Sequence, residues 1–548
     1  MTKTTLMAAA AVLYALGAAA CSTSGPATPQ AASTVPDPTP TPTSLKRLNP
    51  NVIEETETYY IERISKKDVF KVGEREIKHP IVGPPIEFFK EDDEYFYVHV
   101  NKRIPEEEAA LREAQAESPG VPSLAEPTPV PTPPPAASAV PAADFADLLP
   151  PRVSPRFRLE PVEAHGLPMG GMWRSSFVVA DMNGDKIPDI VSPPARIGGS
   201  TPRVWIGNGE GKFSDWPIQF NEGGAPRPDF SVAYGAVAVG DIDGDGKLDL
   251  VSASHAAGLA SLFGDGTGNF AVVRRGLPGR EFSSQGIVLL DADSDGKLDI
   301  VACRDVVGSE EGVVDRQQVR LYLFKGRERG WEYQPEGIVG GFYSNSLHAW
   351  DYDGDGKRDV LTGSHYVGAL TLLWKNQGNG KFAPDSFPAV EIYAYHFATA
   401  PGTFGRDREP AFVDAYSMFA NDPQAIRATG LTVYSRREGQ WARHRVWRKK
   451  DGNSLLNAAA LGDLDGDGLD DVLFADSEEK RLRLFLQGRA GSFSEAAQGA
   501  EPALNSPGQC IRLADLNGDG RLDVILAKTV SSNSPEDPGG WSVYLNRK

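Results

Sequence analysis

The stretch "GAVAVGDIDGDGKLDLVSAS", residues 235–254, places two apolar runs around a turn that carries four aspartates in nine positions. The flanks, rich in Val and small residues, read as two strands of a hairpin. Four bare carboxylates at this spacing repel one another, so the turn needs a counter-charge. Asp241, Asp243, Asp245 and Asp249 set oxygens at turn positions 1, 3, 5 and 9, with the carbonyl of position 7 pointing inward. The Gly at position 6, Gly246, permits the sharp turn. Oxygen donors without histidine or cysteine suit Ca²⁺ and not zinc or copper. An EF-hand needs a helix on each side and a Glu at position 12; here position 12 is Ser252, inside the second strand.

The string returns as "DMNGDKIPD" (181–189), "DIDGDGKLD" (241–249), "DADSDGKLD" (291–299), "DYDGDGKRD" (351–359), "DLDGDGLDD" (463–471) and "DLNGDGRLD" (515–523). The gap between 351 and 463 spans two periods and holds a degenerate copy, "HFATAPGTFGRDREPAFVDAY" (396–416). Aligned, Thr403 stands where the first Asp belongs and Ala411 where the last does. Each copy has a strand before the turn, a strand after it, a third strand ending in a Gly-rich turn and an aromatic ("LFGDGTGNF", 262–270), and a weaker fourth. Four strands per period of this length predict a blade, and seven copies predict a seven-bladed β-propeller over 152–548. The last copy stops at its third strand, "WSVYLNRK" (541–548), while a spare strand, "PRFRLEPVEAHG" (155–166), precedes the first. The N-terminal strand is therefore expected to close the last blade, which removes an exposed edge.

With these turns and the Gly-Phe motif, the chain resembles the FG-GAP (VCBS-type) repeat family, known from integrin α-subunit propellers and bacterial surface proteins. The resemblance implies that every acidic turn joins the first two strands of its blade and binds a structural Ca²⁺, about six ions in all. Carried over, the ligands are Asp181, Asn183, Asp185, Ile187 and Asp189 in the first turn, and Asp241, Asp243, Asp245, Lys247 and Asp249 in the second. They are Asp291, Asp293, Asp295, Lys297 and Asp299 in the third, and Asp351, Asp353, Asp355, Lys357 and Asp359 in the fourth. Asp463, Asp465, Asp467, Leu469 and Asp471, then Asp515, Asn517, Asp519, Arg521 and Asp523, complete the set. Position 7 contributes its backbone carbonyl. Lys186 replaces the position-6 glycine of the first turn, a departure from the family pattern that bears on the affinity of that site, and Ser294 fills a non-ligand position.

The 548 residues carry a net charge of −18, which argues against a nucleic acid partner. Residues 1–20 read as a signal peptide: Lys3, then an apolar stretch too short to span a membrane. "LGAAAC" (16–21) resembles a bacterial lipoprotein signal, although Ala18 stands where that family usually has Leu. The resemblance implies acylation of Cys21 and a bacterial cell-envelope location, at the outer membrane. Residues 21–49 form a Pro/Thr-rich tether, 50–117 a small β-rich domain with a short helical run at its end, and 118–151 a second Pro-rich linker. Cys303 and Cys510 fall in distant repeats and read as buried apolar residues without a disulfide.

The rim opposite the acidic turns collects the turns after each second strand and the starts of the first strands. Trp173, Arg174, Tyr234, His255, Arg304, Tyr343 and His365 fall there and form the candidate ligand site. The sequence holds no Ser-His-Asp motif, phosphate loop or zinc helix. These features favour a non-catalytic adhesion module or envelope scaffold for a cell-surface glycan or protein. The alternative is a calcium-dependent polysaccharide lyase or hydrolase using Arg304 and the two histidines.

Overall fold

The computed structural model divides the chain into two units: one reaching to Pro119, and one running, 308–314 aside, from Gly120 to Lys548. In the first, the structure describes the backbone of strands between Val52 and Asn101. In the second it describes residues 147–548 except 174–175, 196–200, 222–234, 256–257, 280–281, 305–319, 329, 342, 366–371, 386–393, 420–425, 452–457, 498–502 and 531–537. The signal, the tether, the helical run near 105–117 and most of the second linker lie outside the described residues. All described elements are strands.

The small unit has a sheet in the order Val52–Glu55, Tyr59–Ser65, Tyr95–Asn101, Lys90–Glu91, and a second of Phe70–Lys71, Glu76–Lys78 and Ile86–Glu87. Lys90–Glu91 and Tyr95–Asn101 pair antiparallel, with Lys90 opposite Tyr97 and Glu91 opposite Phe96; residues 92–94 of "EDDE" lie outside the described residues. Of "IEFF", the described Ile86 and Glu87 pair with Ile77 and Glu76.

Beyond Pro119 the chain folds as the expected seven blades. In each, four strands pair antiparallel, in sequence order except for the fourth strand of blade seven, and in every blade but the fifth an acidic turn joins the first two. Blade two shows the pattern: Gly235–Gly240, Asp249–Ser254, Gly258–Gly264 and Asn269–Val273. Its second strand is buried along its whole length, because neighbouring blades cover both faces. The core is accordingly a series of layers between blades. Met182, Val191 and Val204 of blade one meet Val237, Leu250 and Leu262 of blade two, and Val413 and Leu431 of blade five meet Val472 and Phe485 of blade six.

The ring closes as predicted. Arg158–Pro161 pairs antiparallel with Gly540–Arg547 and supplies the fourth strand of blade seven. At this seam Trp173, Trp205 and Trp541 pack with ring centroids 5.5 Å apart in every pair, and Phe177 adds an edge contact to Trp541. The propeller starts earlier than residue 152. Leu148 exchanges two backbone hydrogen bonds with Arg448 of blade five, and Arg152–Val153 runs parallel beside Phe493–Ala496 of blade six. The segment thus covers two outer edges before it reaches blade seven.

Candidate metal loops and the opposite rim

The first two strands of each blade end in one register. Ala180 pairs with Asp189, Gly240 with Asp249, Leu290 with Asp299, Trp350 with Asp359, Gly462 with Asp471 and Ala514 with Asp523. Between them the backbone turns left-handed twice. In blade two Gly244 and Gly246, at positions 4 and 6, have φ of 77° and 83°. Lys186 (70°) and Ser294 (61°) adopt the same conformation without being glycine. Position 4 is therefore constrained by the backbone, which its lack of a ligand role does not reveal.

This path folds backbone N–H groups onto carboxylates. Asp241 Oδ1 accepts from Gly244 and Asp245 at 2.8 and 3.1 Å, and its Oδ2 from Gly246 at 2.9 Å. Asp181, Asp463 and Asp515 accept the corresponding N–H groups of their own loops. The position-9 aspartates are buried and act as staples. Asp249 accepts from Ile242 in the loop at 2.7 Å and from Gly264 in the third strand at 2.8 Å. In the other five loops the third-strand donors are Gly207, Gly326, Asn376, Gln487 and Asn546. Burial outweighs these donors and pushes Asp249 and Asp299 up to about 6 and Asp359 up to about 7. A nearby divalent cation would favour the charged form.

Carboxylate oxygens of Asp241, Asp243 and Asp249 lie within 4.8 Å of one another, as do those of Asp463, Asp465 and Asp471. Two oxygens on opposite sides of one Ca²⁺ stand about 5 Å apart, so this all-oxygen set fits a calcium-sized ion. In the first and last loops Asn183 and Asn517 replace one carboxylate; the Asn183 side-chain amide donates to Asp185 at 2.9 Å. In blades three and four the clusters differ. They comprise positions 1, 3 and 5 (Asp291, Asp293, Asp295; Asp351, Asp353, Asp355), and a lysine from the third strand enters each.

Blade five replaces the loop with a tight hairpin. Gly402 pairs with Ala411 and Phe404 with Glu409, so Thr403 and Ala411 do hold the positions of the first and last Asp. The turn is anchored to the next blade. Thr403 donates its N–H and hydroxyl to Asp470 Oδ2 at 2.7 and 2.9 Å, and Gly405 N–H donates to Gln487 Oε1 at 2.6 Å. Both partners belong to blade six. Asp470 is the extra carboxylate of "DLDGDGLDD", and its buried side chain stitches the two blades together. Asn376 and Asn546 clip backward likewise, to the carbonyls of Asp291 and Leu464. Aligning the third strands would have exposed both these amides and the two lysines.

The residues expected on the opposite rim fall into three places. Trp173 is buried in the closure seam, with its indole N–H donating to the Gly170 carbonyl at 2.9 Å. It packs the core and offers no face to a ligand. His255 Nδ1 lies 2.7 Å from Ser283 Oγ, and Arg304 lies over the neighbouring Phe282 ring at 5.7 Å. Tyr343 meets His365 edge to face at 5.3 Å, and His365 Nε2 lies 3.1 Å from Asn345 Oδ1. Tyr343 is itself buried, so it too offers no ring face to a ligand. Trp173 is covered by Trp541 of blade seven and Trp205 of its own blade, which the sequence position alone does not show. Arg174 and Tyr234 lie outside the described residues.

Fold and turns together define an all-β, seven-bladed propeller whose blades, one excepted, carry an acidic turn between strands one and two. The repeats are FG-GAP-like: a profile of the FG-GAP-like repeat matches residues 195–252, 241–302 and 463–526. No curated protein matches the chain. Among solved structures, BBS1N in complex with ARL6DN, soaked with lead, is 9% identical at a TM-score of 0.42, over 72% of this chain and 98% of that one. The Dos1 propeller is 12% identical at 0.39, over 67% and 78%. An ancestral GH74 enzyme is 12% identical at 0.38, over 70% and 47%. Likenesses this distant bear on no activity.

Proposed function

We propose that this protein is a non-catalytic binding module of the bacterial cell envelope, tethered through Cys21, whose propeller is held in shape by structural calcium. The observation that carries the reading is the set of six acidic turns built on one backbone template, with buried staple aspartates behind them. Calcium would lie between ligand oxygens at positions 1, 3, 5 and 9 and offset their repulsion. Its role is to stiffen the turn, while the buried staple holds loop to third strand. The "LGAAAC" signal and the Pro-rich tether support export and display. A glycan or protein at the cell surface is the partner class, and the ends of the propeller present the loops that would meet it.

Extracellular calcium modules bind on the order of 10⁻⁴ to 10⁻³ M, and an ion bound only by the folded state raises stability by mass action. Thermal unfolding with millimolar calcium and with excess chelator tests the metal part. The midpoint should fall by several degrees in chelator; an unchanged midpoint refutes it. Cys21→Ala should move the protein from the membrane fraction to the soluble fraction.

A further inference from the structure

The position just before the staple donor in the third strand is Ile206 in blade one, Phe263 in blade two, Leu486 in blade six and Leu545 in blade seven. In blades three and four the same position is lysine: Lys325 precedes Gly326 and Lys375 precedes Asn376. Both lysines reach into the acidic turn of their own blade. Lys325 Nζ is hydrogen-bonded to Asp293 and lies 3.1 Å from Asp295 Oδ2. Lys375 Nζ is hydrogen-bonded to Asp353 and lies 3.6 Å from Asp355 Oδ2. The carboxylates gather differently as well. Positions 1, 3 and 5 converge in these two blades, against positions 1, 3 and 9 in blades two and six.

An ammonium is a compact point charge with three donors, suited to carboxylates brought close together. It cannot share their oxygens with a divalent ion that needs the same atoms at 2.3–2.6 Å, and the two cations repel. The other four blades carry an apolar side chain at that position; the cations near their turns, Lys247 at 3.3 Å from Asp245 and Arg521 and Arg547 each at 3.7 Å from Asp519, meet a single carboxylate and do not bridge two. We propose that Lys325 and Lys375 are built-in counter-cations, so that blades three and four close their turns without a metal and only blades one, two, six and seven take one. The donor sets of loops 291–299 and 351–359 therefore do not fit the calcium that their aspartates alone would imply. The inference rests on the calcium reading above and corrects its count from six sites to four. A chelator would then loosen one arc of the ring and leave the lysine-held arc closed.

The test counts calcium bound by the full chain, by equilibrium dialysis and elemental analysis, with hydrogen exchange read in calcium and in chelator. Four ions in the parent, rising toward six in the double variant Lys325→Met and Lys375→Met, support the proposal. So does exchange that accelerates in chelator at 181–189, 241–249, 463–471 and 515–523 but not at 291–299 and 351–359. Six ions in the parent, unchanged in the variant, overturn the lysine role and leave the calcium reading standing. No calcium in either protein overturns both. If the double variant does not fold, Leu486→Lys gives the converse reading: one ion fewer than the parent supports the proposal, and an unchanged count overturns it.

Discussion

At the scale of single residues, backbone conformation and burial decide more than chemical type. Lys186 and Ser294 hold left-handed φ where the other loops use glycine. The equivalent glycines meet nothing within 4 Å of a built Cβ, so the strain is conformational, not steric crowding. Lys186→Gly and Ser294→Gly should each raise stability by about 1 kcal/mol, seen as a higher denaturation midpoint. His348 is a different case. It lines a small cavity with Ser176, Ser346, Thr399 and Arg512, and its Nε2 lies 2.6 Å from the Thr399 carbonyl. Burial first, then the Arg512 charge, pushes its pKa down to about 3. The folded state holds the ring neutral while the unfolded chain protonates it near 6.5. This contribution is therefore full above pH 6.5 and is lost as pH falls toward 3, by at most about 1.4 kcal/mol per pH unit. Unfolding free energy measured from pH 7 to 4 should fall less steeply in His348→Gln than in the parent. Parallel slopes would remove His348 as the cause.

At the scale of elements, the degenerate fifth blade shows what replaces a metal turn. Its hairpin is anchored by Asp470 and Gln487 of the next blade. Asp470→Ala leaves the Thr403 N–H without its partner and should cost about 1.5–3 kcal/mol. Amide exchange should accelerate at 403–408 while the calcium content stays unchanged. Exchange rates equal to the parent would show that the hairpin holds itself. The lysines of blades three and four offer another substitute for metal. On the reading proposed above, one loop position takes different solutions: an ion, an ammonium, or a contact to a neighbour.

At the scale of the whole molecule, stability depends on closing a ring. Arg158–Pro161 pairs with the last strand from the far end of the sequence, and three tryptophans pack across the same seam. A chain beginning at Gly170 loses that strand and the segment 147–153 along blades five and six. It should aggregate through the bared edge of Gly540–Arg547, as read by light scattering against the full chain. Equal dispersity of the two would refute closure as the source of solubility.

The repeat, its period and the missing last strand determined the all-β propeller, the blade count and the closure, because a blade is a local unit whose turn chemistry repeats in the chain. The missing carboxylates likewise marked blade five, and the paired register placed Thr403 and Ala411 where the alignment had them. What surrounds each turn was decided only in three dimensions. Asp470 reaches Thr403 across 67 positions, and Lys325 reaches Asp293 across 32. Trp173 and Tyr343 read as rim aromatics in one dimension and are covered by neighbouring strands in three. The repeat specifies which groups each blade carries; strand pairing within a blade and the stacking of blades decide which carboxylates already have a side-chain partner.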